Sequence, residues 1–546
     1  MSEGTRRPDS AGGDRARPRP SWWEVIAVAI GVAAMSIQFA SRRSLWVDEI
    51  AVVHNLDARS LGELLTQPLD YDQVAPSIFL LVQKGIFALV GAGEFSMRAY
   101  PFAMGVLALL LTWALARRLL DGSWAALPPL LLGISAEHVW LSSQAKQYSG
   151  DLALTAALLL IGVVSQDRDP SRWRRWGMVL VGITAPWMSQ PALFALAAAG
   201  GALLWGDWRH ARRLSLGTVA TVGAWGISGL LALASAQGRV STGTMQFMRD
   251  YWSSGFLPFP PRTWDELKWP AYTLRVIIAE VTDWRWSYAY FALAVVGGWA
   301  VWRRSRPVAL TLAAPIVGAM AAAALGRYPL EGRLAFFLAP IAVLLVSAGI
   351  AAVATLAKGP RWATAAMALL LITPPLVSAV RSPPPYTLQH TRPLFERLQR
   401  EYRPGDRVYV PYGGWQAWWY YAPRTGLGAV PVLVGSCHDT ALAGYEAEVR
   451  QLHDAARTWI LFVAAGELQG PDVIVRAADT FGERRATYTE RHVAADGTMR
   501  EVVLMRFDRR PTAGGRDEEP APRGAPAGPL PAACRGAAVD RLLARR

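Results

Sequence analysis

Cysteine is nearly absent from this chain of 546 residues: only Cys437 and Cys534 occur. They lie far apart in unlike segments, so they imply neither a disulfide framework nor a cysteine-based metal site. Charged side chains are also sparse, at 18% of residues, which argues against a string of soluble domains. There is no glycine-rich phosphate loop, no His/Asp/Glu spacing of a dedicated metal site, and no solenoid repeat. Acids are outnumbered, leaving a net charge of +14. The bases sit in short clusters between apolar runs rather than in an aromatic-interleaved groove, so nucleic acid is not the implied partner.

What the chain does have is hydrocarbon. Apolar residues make up 52% of it, with 24 tryptophans. They come in long runs such as Val106–Ala116, Leu152–Val164, Val308–Leu325 and Leu334–Leu356. About 18 or more such residues in a helix cross roughly 30 Å of hydrocarbon. The pattern predicts a polytopic α-helical membrane protein of about eleven spans, near 22–40, 96–116, 124–141, 151–165, 176–188, 190–205, 214–236, 286–302, 307–325, 334–356 and 361–379. The first span carries Glu24 and no small-residue cleavage site, so it reads as uncleaved rather than as a signal peptide. With the N-terminus cytoplasmic, every even connection is basic, as the positive-inside rule requires. Arg42–Arg43 is the one cluster on the wrong side.

This arrangement divides the chain into a disordered N-terminus (1–21), a transmembrane domain (22–380), a C-terminal extracytoplasmic α/β domain (381–508) and a Pro/Gly/Ala-rich disordered tail (509–546). Two long external connections are expected, 41–95 and 237–283. "APSIFLLVQKGIFALVGAG" in the first reads as an interfacial helix, because counting it as a span would invert every later loop.

The polar residues then gather on one membrane face. Asp48 and Glu49 follow the first span, and Asp72 lies in the same connection. "SSQAKQYSGDL" offers Lys146, Gln147, Tyr148 and Asp151, and "GRYPLEGR" offers Arg327, Tyr328 and Arg333. Cations on this face run against the charge rule, which suggests that they bind an anion. A phosphate at headgroup level is the natural candidate. A carboxylate beside it is placed to take a proton from an incoming hydroxyl or amine.

The order of a first span, "LWVDE", "LDYDQVAPSIFLL", "GEFSMRAYPFAMGVLALLLTWALARRLL", "SSQAKQYSGDLALTAALLL" and "YPLEGRLAFFLAPIAVLL" resembles bacterial members of glycosyltransferase family 39. These are relatives of protein O-mannosyltransferases and of the lipid A aminoarabinose transferase, within the GT-C superfamily. The resemblance covers about residues 22–380. It implies a membrane transferase, at the cell or inner membrane, that takes a sugar from a polyprenyl-phosphate donor with no obligatory metal and passes it to a lipid, glycan or protein acceptor on the outer face. It carries catalysis onto Asp48 with Glu49 beside it, and substrate binding onto Lys146, Asp151, Arg327 and Arg333. Where the aminoarabinose transferases have Glu-Lys-Pro, this chain has Val74-Ala75-Pro76, so Asp72 is the nearest stand-in. The rival readings are a transporter or flippase of lipid-linked glycans, a polymerase or ligase using a diphosphate donor, and a membrane-anchored binding protein.

Overall fold

The computed structural model describes residues 19–166, 172–356, 361–438, 442–463 and 471–510. The segments expected to be disordered, 1–21 and 509–546, lie outside the described residues apart from 19–21 and 509–510. The chain is mostly helical. In order come α1 (Trp22–Ala40), α2 (Val47–Ala58), α3 (Leu61–Thr66), α4 (Ser77–Val90), α5 (Glu94–Leu119), α6 (Leu127–Ile134), α7 (Ala136–Leu141), α8 (Tyr148–Val164), α9 (Arg172–Met188), α10 (Ala192–Ala211) and α11 (Leu216–Gly238). Then follow α12 (Thr242–Tyr251), α13 (Trp264–Glu280), α14 (Ser287–Arg304), α15 (Arg306–Ala324), α16 (Gly332–Ala335), α17 (Ala339–Leu356) and α18 (Arg361–Arg381).

Among the described residues, six segments are long and apolar enough to cross a membrane: α1, α5, α11, α15, the α16–α17 unit and α18. Many large apolar residues on them stay exposed, such as Ile26, Ile37, Leu230, Leu310 and Leu370, which is how helices face lipid rather than water. The protein is therefore a multi-pass membrane protein. Eleven spans are expected, and this criterion alone does not show that number among the described residues. The other expected spans are helical but interrupted or polar at one end. The segment 124–141 breaks into a 3-10 turn (Gly122–Ala126), α6 and α7. Ser135 leaves the helix there and caps α7, accepting from the His138 amide (3.3 Å). α9 opens on "RWRRW" and α10 closes on "GDWRHA", each shortening its apolar stretch.

Polar contacts sort the bundle into two ends. At one end Glu24 pairs with Arg117 (3.2 Å) and Arg304 with Asp121 (2.5 Å). The first connection, the 142–147 turn and the 325–332 turn meet at the other. Within the bundle α14 and α17 pack through Gly297 and Gly349. A Cβ on either would overlap the partner backbone, at the Leu345 and Leu293 carbonyls respectively. Glycine here permits close helix approach, the small-residue packing used where hydrocarbon surrounds the interface.

Beyond α18 the chain forms α19 (Arg392–Glu401), β1 (Arg407–Val410), α20 (Trp415–Arg424), β2 (Val432–Val434), α21 (Ala443–Arg450), β3 (Arg457–Phe462), α22 (Pro471–Phe481), β4 (Gly482–Val493) and β5 (Met499–Arg509). The sheet order is β2-β1-β3-β5-β4, with β2, β1 and β3 parallel and the last two antiparallel. Side chains alternate across it. Val408, Val410, Trp459 and Leu461 face α19 and α20, whereas Tyr409, Ile460 and Phe462 face α21 and α22. The first face is not private to this domain. Leu45, Ile50, Val53 and Leu56 of the first connection share its core with Phe395, Ala417 and Trp418. Cys437 is buried, and Cys534 lies outside the described residues.

Candidate active site

The site is built on the N-terminus of α2. Its N-cap is Trp46, which has no capping side chain, so Glu49 reaches back and accepts from the Trp46 amide (3.2 Å). Acids in a first helical turn are favoured by the exposed N–H groups and the helix dipole. Glu49 is fully buried. Its oxygens accept from Arg98 Nε (2.9 Å) and Nη2 (2.6 Å) and from the Ala145 amide (2.8 Å). Arg98 also donates to the carbonyls of Arg43 (2.7 Å) and Ser44 (3.0 Å). One buried bidentate pair thus ties α2, α5 and the 142–147 turn together. Removing either partner would strand a charge in a dry site.

Asp48 sits about 100° round the helix from Glu49 and faces a different set. Its Oδ2 lies 2.7 Å from Arg333 Nη2 and 3.9 Å from Lys146 Nζ, and Gln73 also bonds to it. Lys146 Nζ donates to Gln73 Oε1. The Arg333 guanidinium is walled by aromatic rings: Trp46 (5.1 Å), Tyr148 (5.6 Å) and Trp252 (5.6 Å). Stacking on ring faces suits the planar, weakly hydrated guanidinium. Arg333 Nε is buried with no hydrogen-bond partner among the described residues. Burial alone would push the Asp48 carboxyl up, but Lys146 and Arg333 more than offset it, so its pKa lies below the ordinary aspartate value. Lys146 is pushed down to about 8, by burial first and then by Arg333, against the attraction of Asp48. The result is one ionised carboxylate between two cations, with donor capacity to spare for an anion.

The other expected residues divide. Tyr148 lines the cluster, within electrostatic reach of both Asp48 and Asp151. Gln147 turns away to donate to the Val74 carbonyl (3.3 Å). Asp151, a turn further along α8, bonds with Ser189, and its Oδ1 is buried without a partner among the described residues. Tyr328 donates to the Leu334 carbonyl (2.8 Å), bracing the turn that carries Arg333. Asp72 accepts from Thr244 (2.9 Å), and burial raises its pKa; it meets α12 rather than Lys146. Arg327 is exposed and is not brought to Asp48.

Three participants are not singled out by the sequence. Gln73 bridges Lys146 and Asp48 without charge. Arg98 has a signal, a lone cation at the head of an apolar helix. Trp46 has none beyond aromatic composition, whereas Trp252 is one of the external tryptophans open to stacking on sugar or lipid, with core packing the plainer use. The Arg42–Arg43 cluster on the expected outer side has a local reason. Arg42 stacks on Phe95 (4.7 Å), and its carbonyl accepts from Arg392 (2.9 Å).

Among the described residues no group of three or more His, Cys, Asp or Glu is placed to hold a metal ion. No protein-family model matches the chain, and no curated protein matches it. Among solved structures, the chain is similar to ArnT from Cupriavidus metallidurans bound to undecaprenyl phosphate, at 14% identity over 88% of this chain and 98% of that one, with a TM-score of 0.47. It is also similar to the Archaeoglobus fulgidus oligosaccharyltransferase in complex with zinc and sulfate, at 13% identity over 87% of this chain and 72% of that one, with a TM-score of 0.43. At such identities and TM-scores they carry no weight for this chain's activity.

Proposed function

We propose that the protein is a membrane glycosyltransferase that moves a sugar from a polyprenyl-phosphate donor to an acceptor at the outer membrane face. The observation that carries this reading is Asp48 held between Lys146 and Arg333 at the end of the bundle opposite the Glu24–Arg117 pair. Asp48 takes the proton of the acceptor hydroxyl or amine. The acceptor atom bonds to the anomeric carbon as the bond from that carbon to the phosphate oxygen breaks, and polyprenyl phosphate leaves with the electron pair. A single in-line displacement inverts the anomeric centre. Lys146 and Arg333, already oriented, stabilise the charge growing on the departing phosphate, the preorganised electrostatics that contributes most to many enzymes. Glu49 and Arg98 position α2, and Tyr148, Trp46 and Trp252 hold the Arg333 plane.

The test is transfer by protein reconstituted in liposomes, read by mass spectrometry, with polyprenyl-monophosphate and polyprenyl-diphosphate sugars offered separately, with and without chelator. Transfer from the monophosphate donor, insensitive to chelator, is expected. Movement of intact lipid-linked glycan across the bilayer without any transfer would instead establish the flippase reading.

A further inference from the structure

The junction between the first connection and the C-terminal domain holds four aromatic rings that the transfer chemistry does not use. His54 on α2 lies edge-on to Trp419 (4.8 Å between centroids) and to Tyr71 (5.0 Å), and Tyr71 lies 5.1 Å from Trp415. Trp415 and Trp419 belong to α20, which packs on α2. This is also where an open α/β sheet binds ligands, outside the carboxyl ends of its strands at the point where crossovers diverge. Here β1 runs through Gly413 (φ +79°) and Gly414 into α20 on one face, while α21 returns the chain to β3 on the other. A Cβ at Gly414 would overlap Val410, so the turn that presents Trp415 is built tightly against the strand.

Three polar atoms at this junction are buried without a hydrogen-bond partner among the described residues: His54 Nδ1, Tyr71 Oη and Gln416 Oε1. Gln416 is three residues before Trp419 and shares its helix face. Packing between two domains asks for no hydroxyl and no ring nitrogen; Phe and Leu would fill the same volume without orphaned groups. Aromatic faces with unmet donors and acceptors between them match the two kinds of surface on a sugar ring, apolar C–H faces and hydroxyl edges.

We infer that this junction is a saccharide-binding subsite, in which Trp415, Trp419, Tyr71 and His54 hold a pyranose or furanose ring of the acceptor glycan. It connects to Asp48 through three consecutive residues. Tyr71 and Asp72 both have positive φ (63° and 51°), a backbone conformation that costs energy for non-glycine residues. Gln73 then donates to the Tyr71 carbonyl (3.0 Å) while its Oε1 accepts from Lys146. The strained turn sets the aromatic subsite beside the cation pair. That the bound sugar is an acceptor rests on the transferase reading; that the junction binds sugar does not.

The experiment is binding of the full-length protein, in detergent, to an array of cell-envelope oligosaccharides, with affinities for the captured glycans followed by tryptophan fluorescence. Tyr71→Phe, which keeps the ring and removes the hydroxyl, is expected to weaken binding about 3- to 10-fold. Trp419→Ala should weaken it further, and Arg327→Ala, on an exposed turn outside both sites, should leave it unchanged. Capture of no oligosaccharide by the parental protein, or equal affinities in parental, Tyr71→Phe and Trp419→Ala proteins, overturns the inference. Saccharide binding lost in the aromatic variants while Asp48→Asn still transfers at the parental rate would overturn only the catalytic role of Asp48.

Discussion

Two neighbouring carboxylates, Asp48 and Glu49, divide their work by direction. Glu49 is saturated by Arg98 and backbone amides, leaving no lone pair oriented for chemistry, whereas Asp48 meets two cations in a half-buried setting. Loss of a positioned general base lowers rate by about 10²–10⁴-fold. Asp48→Asn is therefore expected to keep its melting temperature and donor binding while kcat falls by that factor; parental kcat in the variant would remove Asp48 from the chemistry. The pH profile follows from the same pair. Asp48, with its pKa depressed, is ionised across the neutral range, and activity declines only as pH drops through that low value. Lys146 loses its charge as pH rises through about 8, so donor KM should climb above that pH. Lys146→Arg keeps its charge, and the alkaline limb should move up by a unit or more in rate-against-pH measurements.

At the level of elements, two packing devices set the frame. α14 and α17 touch at Gly297 and Gly349, where each glycine lies against the other helix's backbone. Gly349→Val forces these helices apart. Overpacking typically costs about 1–3 kcal/mol, which a thermal-unfolding assay of solubilised protein should register as a clear drop in melting temperature. In the sheet domain Asp406 is buried and accepts from Arg457 (2.8 and 2.5 Å), Trp459 (2.9 Å) and the Arg403 amide (3.0 Å). Burial opposes its charge, but these donors prevail and its pKa is lowered. The stability it contributes is thus present above the unfolded pKa and is lost as pH falls through the folded one. Breaking such a buried pair costs about 3–5 kcal/mol. Asp406→Ala should unfold this domain at distinctly lower denaturant, and an unchanged midpoint would refute the assignment.

Across the whole molecule, charge is segregated. Glu24, Arg117, Asp121 and Arg304 mark one end of the bundle, and Asp48, Lys146 and Arg333 the other. The sheet domain shares its core with the first connection, so it sits at the same end as Asp48. With both native cysteines replaced, Ser253→Cys beside Trp252 should react with a membrane-impermeant maleimide in intact cells. Ser123→Cys should react only after the cells are opened. The reverse labelling would place the site on the inner face and end the proposal of an outer-face transferase.

Membrane character was readable in the residues, because hydrocarbon thickness translates directly into run length; the role of Asp48 comes from the resemblance in motif order and is a proposal. β1 and β3 carry the β-branched and aromatic content of strands, but β4 does not carry a hydrophobic face. Its stretch "ERRATYTERHV" is largely solvent-facing and is defined as a strand by eleven paired positions along β5. Long-range convergence decided everything else. No spacing in the sequence says that Arg98 closes on Glu49, that Gln73 bridges Lys146 and Asp48, that Arg327 stays outside while Arg333 turns in, or that Trp415 meets Tyr71. Those pairings depend on where helices separated by tens to hundreds of residues cross, and crossing points are set by packing at sites such as Gly349 and by which buried charges find partners, neither of which is a local property of the chain.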